Sequence, residues 1–591
     1  MKFTSVKLTF GVALALATAA CGGGGAPGGE TADHTASSLT SARLSQGASR
    51  SGSASGLSAP QASPMPSTAD TSGPAPLTPT GASHFLAQAT FGPTTDSIAA
   101  LVNSGKEDWL AAQFKKPQTL HLSYVQGALP AGTALTQYQV LESFWKQAAT
   151  ADDQLRQRVT YALSQIFVVS MADLNLQARP AGVASYYDML GHHAFGNFRD
   201  LLQGVALHPM MGLYLTHLHN QKENGPRVPD ENFAREIMQL MSIGLYQLNP
   251  DGSLKLQNGK PVETYTRDDV VGMAKVFTGW SWAGPDQSQD RFFGMVADPA
   301  RDWTPMQNYP AYHSNSAKSF LGTQVSGGSG EADLKAALDT LFQHPNVGPF
   351  IGRQLIQRLV SSNPSPAYIN HVSAVFANNG NGVRGDMRAV IRAVLFDPEA
   401  SDQGSAKKLR EPVLRLAHWM RAFNAKSASG RFLLQSTDVA ARPLGQTPLR
   451  ASSVFNFYRP SYTPSNTSLS AQGLVAPEMQ ITAEPSVAGY LNYMQEVIPL
   501  GAGTAHDIQA DYSAELALAA HPWQLTERIN LLLMHGSMSS TLRNQIISAL
   551  NAIPLPATTG NNATQIEAAR KNRVYLAIYL TMASPEYLAQ R

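Results

Sequence analysis

Pro229-Asp230-Glu231-Asn232-Phe233-Ala234-Arg235-Glu236-Ile237-Met238-Gln239-Leu240-Met241-Ser242-Ile243-Gly244-Leu245 is the stretch from which the fold can be read. Phe233, Ile237, Leu240 and Met241 recur at three- and four-residue steps, the spacing that lines up one face of an α-helix. Asp230 stands where a helix N-terminus takes an acceptor, and Gly244 stands where a helix ends. Glu231 and Arg235 are four apart and on one side of such a helix. Glu236 and Gln239, three apart, form a second polar pair on the same reasoning.

The same period recurs on both sides of this segment. Leu155, Val159, Ala162, Ile166 and Val169 fall on one stripe, as do Met387, Ile391, Val394 and Leu395. Val413, Leu416, Ala417, Met420 and Phe423 form another, and Leu542, Ile546 and Leu550 repeat behind the candidate caps Ser539 and Ser540. Strand-like alternation is scarce. The expectation is an all-α, multi-helical body with long irregular loops at 285–312, 424–451 and 460–486, preceded by a disordered tether.

The N-terminus supplies the rest of the organisation. Lys2 and Lys7 precede an apolar run, 8–20, too short for a membrane span, and the run closes on Thr18-Ala19-Ala20-Cys21. Residues 1–21 therefore resemble a lipoprotein signal peptide with Cys21 as the lipid acceptor; an ordinary secretory signal is the alternative. Gly22, rather than Asp, follows the cysteine, and by resemblance to Gram-negative sorting rules this implies an exported outer-membrane lipoprotein. Residues 22–80 are Gly, Ser, Ala, Thr and Pro with few large apolar side chains, too little to offset chain entropy. As a flexible tether they reach about 40 Å. The domain proper is expected over 81–591.

Composition narrows the chemistry. Cys21 is the only cysteine of 591 residues, so the mature body has no disulfide, thiolate metal site or cysteine nucleophile. Net charge is +2, with no basic tract interleaved with aromatics, which argues against nucleic acid as a partner. The sequence lacks HExxH, GxxxxGK[ST] and GxSxG. Gly380, Gly382 and Gly385 spell GxGxxG, but the pattern follows an apparent helix at 369–378 rather than a strand. It reads as an interhelical turn with Asp386 capping the next helix. His217 and His219, two apart, point to opposite sides of a helix and cannot share a metal there, so no metal site is assigned and the cofactor is unknown.

Candidate site residues come from two polar segments. One is the helix above, with Glu231, Arg235 and Glu236. The other is Glu263-Thr264-Tyr265-Thr266-Arg267-Asp268-Asp269, where Thr266 and Asp269 form a capping box and Asp268 is the freer carboxylate. Trp280 and Trp282 follow, able to line a pocket or fill the core. These pairs are either an amphipathic helix with a structural ion pair or an acid/base and anion-binding cleft. In the second case Glu231, Arg235, Glu236, Asp268, Asp269 and His313 are the catalytic candidates, and Arg410, Trp280 and Asn456 the binding candidates. They would share one cleft roofed by loop 285–312.

The ordered series of segments resembles the domain of unknown function 1800 family of bacterial secreted proteins. It runs from His84-Phe85-Leu86-Ala87-Gln88-Ala89-Thr90-Phe91-Gly92-Pro93 through 194–202 and His208-Pro209-Met210-Met211 to 231–244 and 265–280. It continues with His313, Lys318, His344-Pro345, Arg353, Gly385-Asp386, 408–413, Ser453-Val454-Phe455-Asn456-Phe457-Tyr458-Arg459-Pro460 and Ser584-Pro585-Glu586-Tyr587. Some members carry Glu and His where this chain has Gln239 and Met241, and an Asp where it has Ser314. The resemblance supplies no reaction. It implies a possible partner from the domain of unknown function 1501 family, which resembles alkaline phosphatases and sulfatases. The functional expectation is an envelope binding or assembly lipoprotein, with a hydrolase-like enzyme as the alternative.

Overall fold

The computed structural model describes residues 76–130, 132–405 and 407–591; Cys21, the signal-like segment and residues 22–75 lie outside the described residues. Helices dominate what is described. The strands are two or three residues long and pair into five antiparallel two-stranded ribbons, so the body is all-α.

Local sequence explains many helix ends. Thr94, Ser329, Ser365 and Ser539 each accept a backbone amide of the first turn of the helix they precede. Thr266 and Asp269 form the full capping box of helix Arg267–Val276. Between helices Pro366–Ala377 and Met387–Phe396, Gly380, Gly382 and Gly385 all adopt positive φ, and the Asp386 carboxylate accepts from the amides of Arg388 and Ala389 at 3.0 and 3.3 Å. The GxGxxG pattern is thus an interhelical turn.

The core is one continuous apolar cluster. Helix Gln154–Ser164 runs through it with Leu155, Val159 and Ala162 buried. The chain leaves the helix at Gln165, so Ile166 and Val169, expected on the same helical stripe, are buried from the following non-helical segment. Phe91, Phe144 and Tyr161 meet there with ring centroids 5.5–5.8 Å apart. The C-terminus closes the body: Ala589–Gln590 pairs with Lys408–Leu409, and the Arg410 guanidinium lies 4.3 Å over the Tyr587 ring. Gly272 allows helix Arg267–Val276 to lie against strand Lys318–Phe320, because a Cβ there would come within 1.8 Å of the Ser319 carbonyl oxygen.

Candidate functional site

The helix read from the sequence spans Asn232–Gln239. Its N-cap is Glu231, while Asp230 one residue earlier accepts the Asn232 amide at 2.8 Å. Glu231 and Arg235 form the expected i,i+4 pair at 3.0 Å, partly exposed. Phe233 anchors the inner face, stacked 3.9 Å from the His217 ring and edge-on to Phe277 at 4.7 Å. At the other end the amides of Ile243 and Gly244 both return to the Met238 carbonyl at 3.0 Å, with Gly244 at φ +73°. A Cβ there would meet the Phe350 ring at 2.8 Å. Gln239 does not pair with Glu236; its Oε1 accepts from the Tyr265 hydroxyl at 3.2 Å. Glu236 is buried with Oε2 unpartnered, and burial raises its pKa against the nearby Arg235 charge.

The remaining sequence candidates do not gather around this helix. Asp269 is committed to structure: its carboxylate accepts from the Thr266 amide at 2.7 Å, the Thr266 hydroxyl at 2.8 Å and the Leu321 amide at 2.7 Å. Against the raising effect of burial, those hydrogen bonds hold its pKa below the ordinary value. Asp268 is exposed in the same turn. His313 is sealed inside, with Nδ1 2.8 Å from the Thr278 carbonyl and Nε2 3.0 Å from Asp333, whose same oxygen takes Lys318 Nζ at 2.6 Å. Arg410 is buried beneath Tyr587 with His535 at 3.5 Å, tying down the C-terminus.

Loop 285–312 folds on itself, Phe292 stacking on Tyr312 at 3.8 Å and Arg291 pairing with Asp286 at 3.0 Å. It walls a separate depression of about 290 Å³ with Trp280, which none of Glu231, Arg235 or Glu236 lines. Trp280 itself is nearly covered, its Nε1 donating to the Val276 carbonyl. The single roofed cleft expected from the sequence is therefore not formed. The physical reason is that Arg410, His313 and Asp269 are each committed to hydrogen-bond partners of their own, Tyr587 and His535, Thr278 and Asp333, and Thr266 and Leu321.

A different cleft, of about 520 Å³, is present, and Gln239 and Leu240 open into it. Helix Val347–Leu359 supplies Arg353, Gln354, Gln357 and Arg358, whose spacing of one, four and five residues puts all four on one side. Residues 244–254 supply an apolar wall that includes Leu245, Leu248 and Leu254, and 454–461 supply Phe455 and Arg459. The Arg459 guanidinium sits 4.6 Å over the Phe455 ring. No Asp or Glu lines the cleft. Among the described residues none of Arg353, Arg358 and Arg459 has a carboxylate within ion-pair distance.

The floor of this cleft is hydrogen-bonded from behind. Arg358 donates to the carbonyls of Gln354 at 3.1 Å and Gln165 at 2.9 Å. Glu411, fully buried, accepts from Gln165 at 2.8 Å, Gln446 at 2.6 Å, Tyr458 at 2.8 Å and Tyr161 at 3.1 Å. Lys408 pairs with Glu478 at 3.0 Å and donates to the Gln357 and Arg358 carbonyls. Asn456 stands behind the floor, sharing a small internal gap with Tyr161 and Gln165. Even so, Gln165 Oε1, Gln354 Nε2, Gln357 Oε1 and Arg358 Nε are buried without partners. An unpaired buried polar group costs about 1–3 kcal/mol. Burial also pushes the pKa of Arg353 down, and that of Arg358 down against the favourable fields of Tyr458 and Glu411. The sites that concentrate such costs are commonly functional.

From the sequence Gln239 has a role only as the partner of Glu236, and Arg353 and Arg459 have none. A signal was there: Arg353, Gln354, Gln357 and Arg358 put charge and amides on one side of a helix otherwise rich in buried apolar residues. Among the described residues no group of three or more His, Cys, Asp and Glu is arranged to hold a metal ion. His217 instead meets the Ala206 carbonyl at 2.9 Å, and His219 packs among Trp282, Phe292 and Phe293.

No curated protein and no solved structure matches the chain. The family described as protein of unknown function (DUF1800) matches residues 84–589, nearly everything the structure describes. On that match the chain belongs to the DUF1800 family.

Proposed function

We propose that this DUF1800 protein is a binding protein of the cell envelope, and that the arginine-lined cleft takes an anionic, partly apolar ligand. One observation carries the reading: Arg353, Arg358 and Arg459 converge on a cleft whose lining has no carboxylate. Guanidinium groups without an ion-pair partner, set beside apolar walls, favour an anion, which would gain charge-assisted hydrogen bonds there. The envelope location rests on the sequence of residues 1–21, with acylated Cys21 as anchor; labelled fatty acid that fails to attach to the wild-type chain removes it.

The binding reading is tested with 8-anilinonaphthalene-1-sulfonate, an anionic fluorophore that is also apolar. Saturable binding by the full chain is expected, weakened by salt and at least about tenfold by Arg353→Gln, since a charged hydrogen bond contributes about 1.5–3 kcal/mol. Binding that is equally strong in Arg353→Gln and Arg459→Gln refutes the site. The hydrolytic alternative has one supporting observation, the buried Glu236 carboxyl with its raised pKa. Its test is turnover of ester, amide and phosphoester substrates that disappears in Glu236→Gln.

A further inference from the structure

The cleft offers more than positive charge. Gln357 Nε2 donates to the carbonyls of Ser362 at 3.0 Å and Pro460 at 3.1 Å, and Gln165 Nε2 donates to the Glu411 carboxylate at 2.8 Å. Flipping either amide would set oxygen against oxygen, so both Oε1 atoms are fixed as acceptors. Neither has a partner. On the same wall Arg358 Nε is a donor without a partner, and the Gln354 side-chain amide, which makes no hydrogen bond, can turn either its nitrogen or its oxygen to a ligand. The wall therefore holds two unpaired acceptors, one unpaired donor and one amide able to serve as either.

That balance discriminates among anions. An ionised phosphate, sulfate or carboxylate group presents only acceptors, and would face the two glutamine oxygens with nothing to donate. A peptide group presents one N–H and one C=O, and a run of them matches a wall of mixed donors and acceptors. Leu240, Leu248, Phe350 and Phe455 add apolar surface to the lining. Arg353 is half-buried and Arg459 exposed, at the rim rather than the floor. The volume of about 520 Å³ lies in the range of clefts that enclose small ligands and suffices for a short peptide stretch.

We propose that the ligand of this cleft is a short extended peptide stretch bearing a carboxylate beside an apolar side chain. The carboxylate meets Arg353 and Arg459, the apolar side chain packs on Phe350 and Phe455, and the peptide groups meet the mixed wall of Gln165, Gln354, Gln357 and Arg358. The four unpaired atoms are buried on side chains that line the cleft, and they reach a ligand by side-chain adjustment of the kind that accompanies many binding events. The proposal rests on the anion-binding reading and narrows it to one ligand class.

The test uses the full chain and a library of five-residue peptides randomised at every position, prepared with free and with amidated C-termini. Selected peptides are expected to share an acidic group and an apolar residue, and to bind Arg353→Gln at least about tenfold more weakly. Enrichment confined to free C-termini assigns a terminal carboxylate, and enrichment in both sets a side-chain one. N-methylation of the backbone of the best peptide should weaken it about tenfold, because methylation removes the N–H groups that Gln165 and Gln357 accept. Selection of no peptide over the Arg353→Gln background, while the sulfonate fluorophore still binds in an Arg353-dependent way, overturns the peptide class and leaves the anion site standing. Loss of both means that the cleft is not an anion site at all. Selected peptides indifferent to N-methylation overturn the role of the mixed wall.

Discussion

Acid should destabilise this protein through its buried histidines, and His217 gives the cleanest measure. The side chain is 1% exposed, stacked on the ring of Phe233 and edge-on to that of Phe277, with the Ala206 carbonyl as its one polar contact. Burial lowers its pKa from 6.5 to about 4, slightly opposed by that hydrogen bond. A folded-state pKa below the unfolded one means stabilisation that is complete above about pH 6.5 and lost as pH falls toward about 4. At about pH 5 the unfolded chain is almost fully protonated at this position and the folded chain is not. Linkage then gives a loss of about 2 kcal/mol relative to about pH 7.5, reduced to about 1–2 kcal/mol by attraction between the cation and the Phe233 face. His208 and His418, each lowered to about 3 by burial, act in the same direction. The raised carboxyls of Asp188, Glu236 and Asp302 act against them. The assay is a set of urea unfolding curves, followed by circular dichroism, at several pH values for wild type and His217→Gln. Glutamine can keep a donor for the Ala206 carbonyl but does not titrate. Whatever its absolute stability, the variant should lose about 1–2 kcal/mol less than wild type between about pH 7.5 and pH 5. Parallel profiles would refute the assignment of acid sensitivity to this buried ring.

Three further outcomes follow from contacts elsewhere. Gly272→Ala should lower stability by at least about 2 kcal/mol in urea unfolding, because its Cβ would collide with the Ser319 carbonyl; Gly127→Ala, with open space around it, should be close to neutral. Lys408→Met should cost about 3–5 kcal/mol by leaving Glu478 buried and unpaired, and the double variant Lys408→Met/Glu478→Leu should recover at least half of it; equal loss in the single and double variants would refute the coupling. Gln239→Glu sets a carboxylate among Arg353, Arg358 and Arg459 and should weaken binding of the sulfonate fluorophore about tenfold without loss of stability, since Tyr265 can still donate to it. Unchanged affinity would place Gln239 outside the binding surface.

Much of the helical architecture could be read from local pattern. The Asn232–Gln239 helix, the capping box of Thr266 and Asp269, the cap at Ser539 and the turn at Asp386 depend on residues within four positions of one another. Interactions of such short range are written directly in the order of side chains. The same holds for the ion pair of Glu231 with Arg235. Where the local pattern was followed too far, the error was also local: the apolar run after Ser164 keeps its burial but not its helix.

Sequence alone determined that this is an all-α chain of the DUF1800 type, with polar pairs near 231–239 and 266–269. Which of those polar groups are free to meet a ligand was decided only by tertiary structure. Arg410 and Glu411 are adjacent in sequence, yet one lies over Tyr587 at the C-terminus and the other anchors Gln165 behind the cleft. His313 is withdrawn from any surface by Asp333, a partner twenty residues away. The cleft itself draws on Gln165, on 239–254, on 350–358 and on 454–461, segments far apart in the chain. Their meeting is a consequence of how the helices bury their apolar faces in one core, and non-directional burial of that kind sets the position of a side chain without leaving a spacing in the sequence.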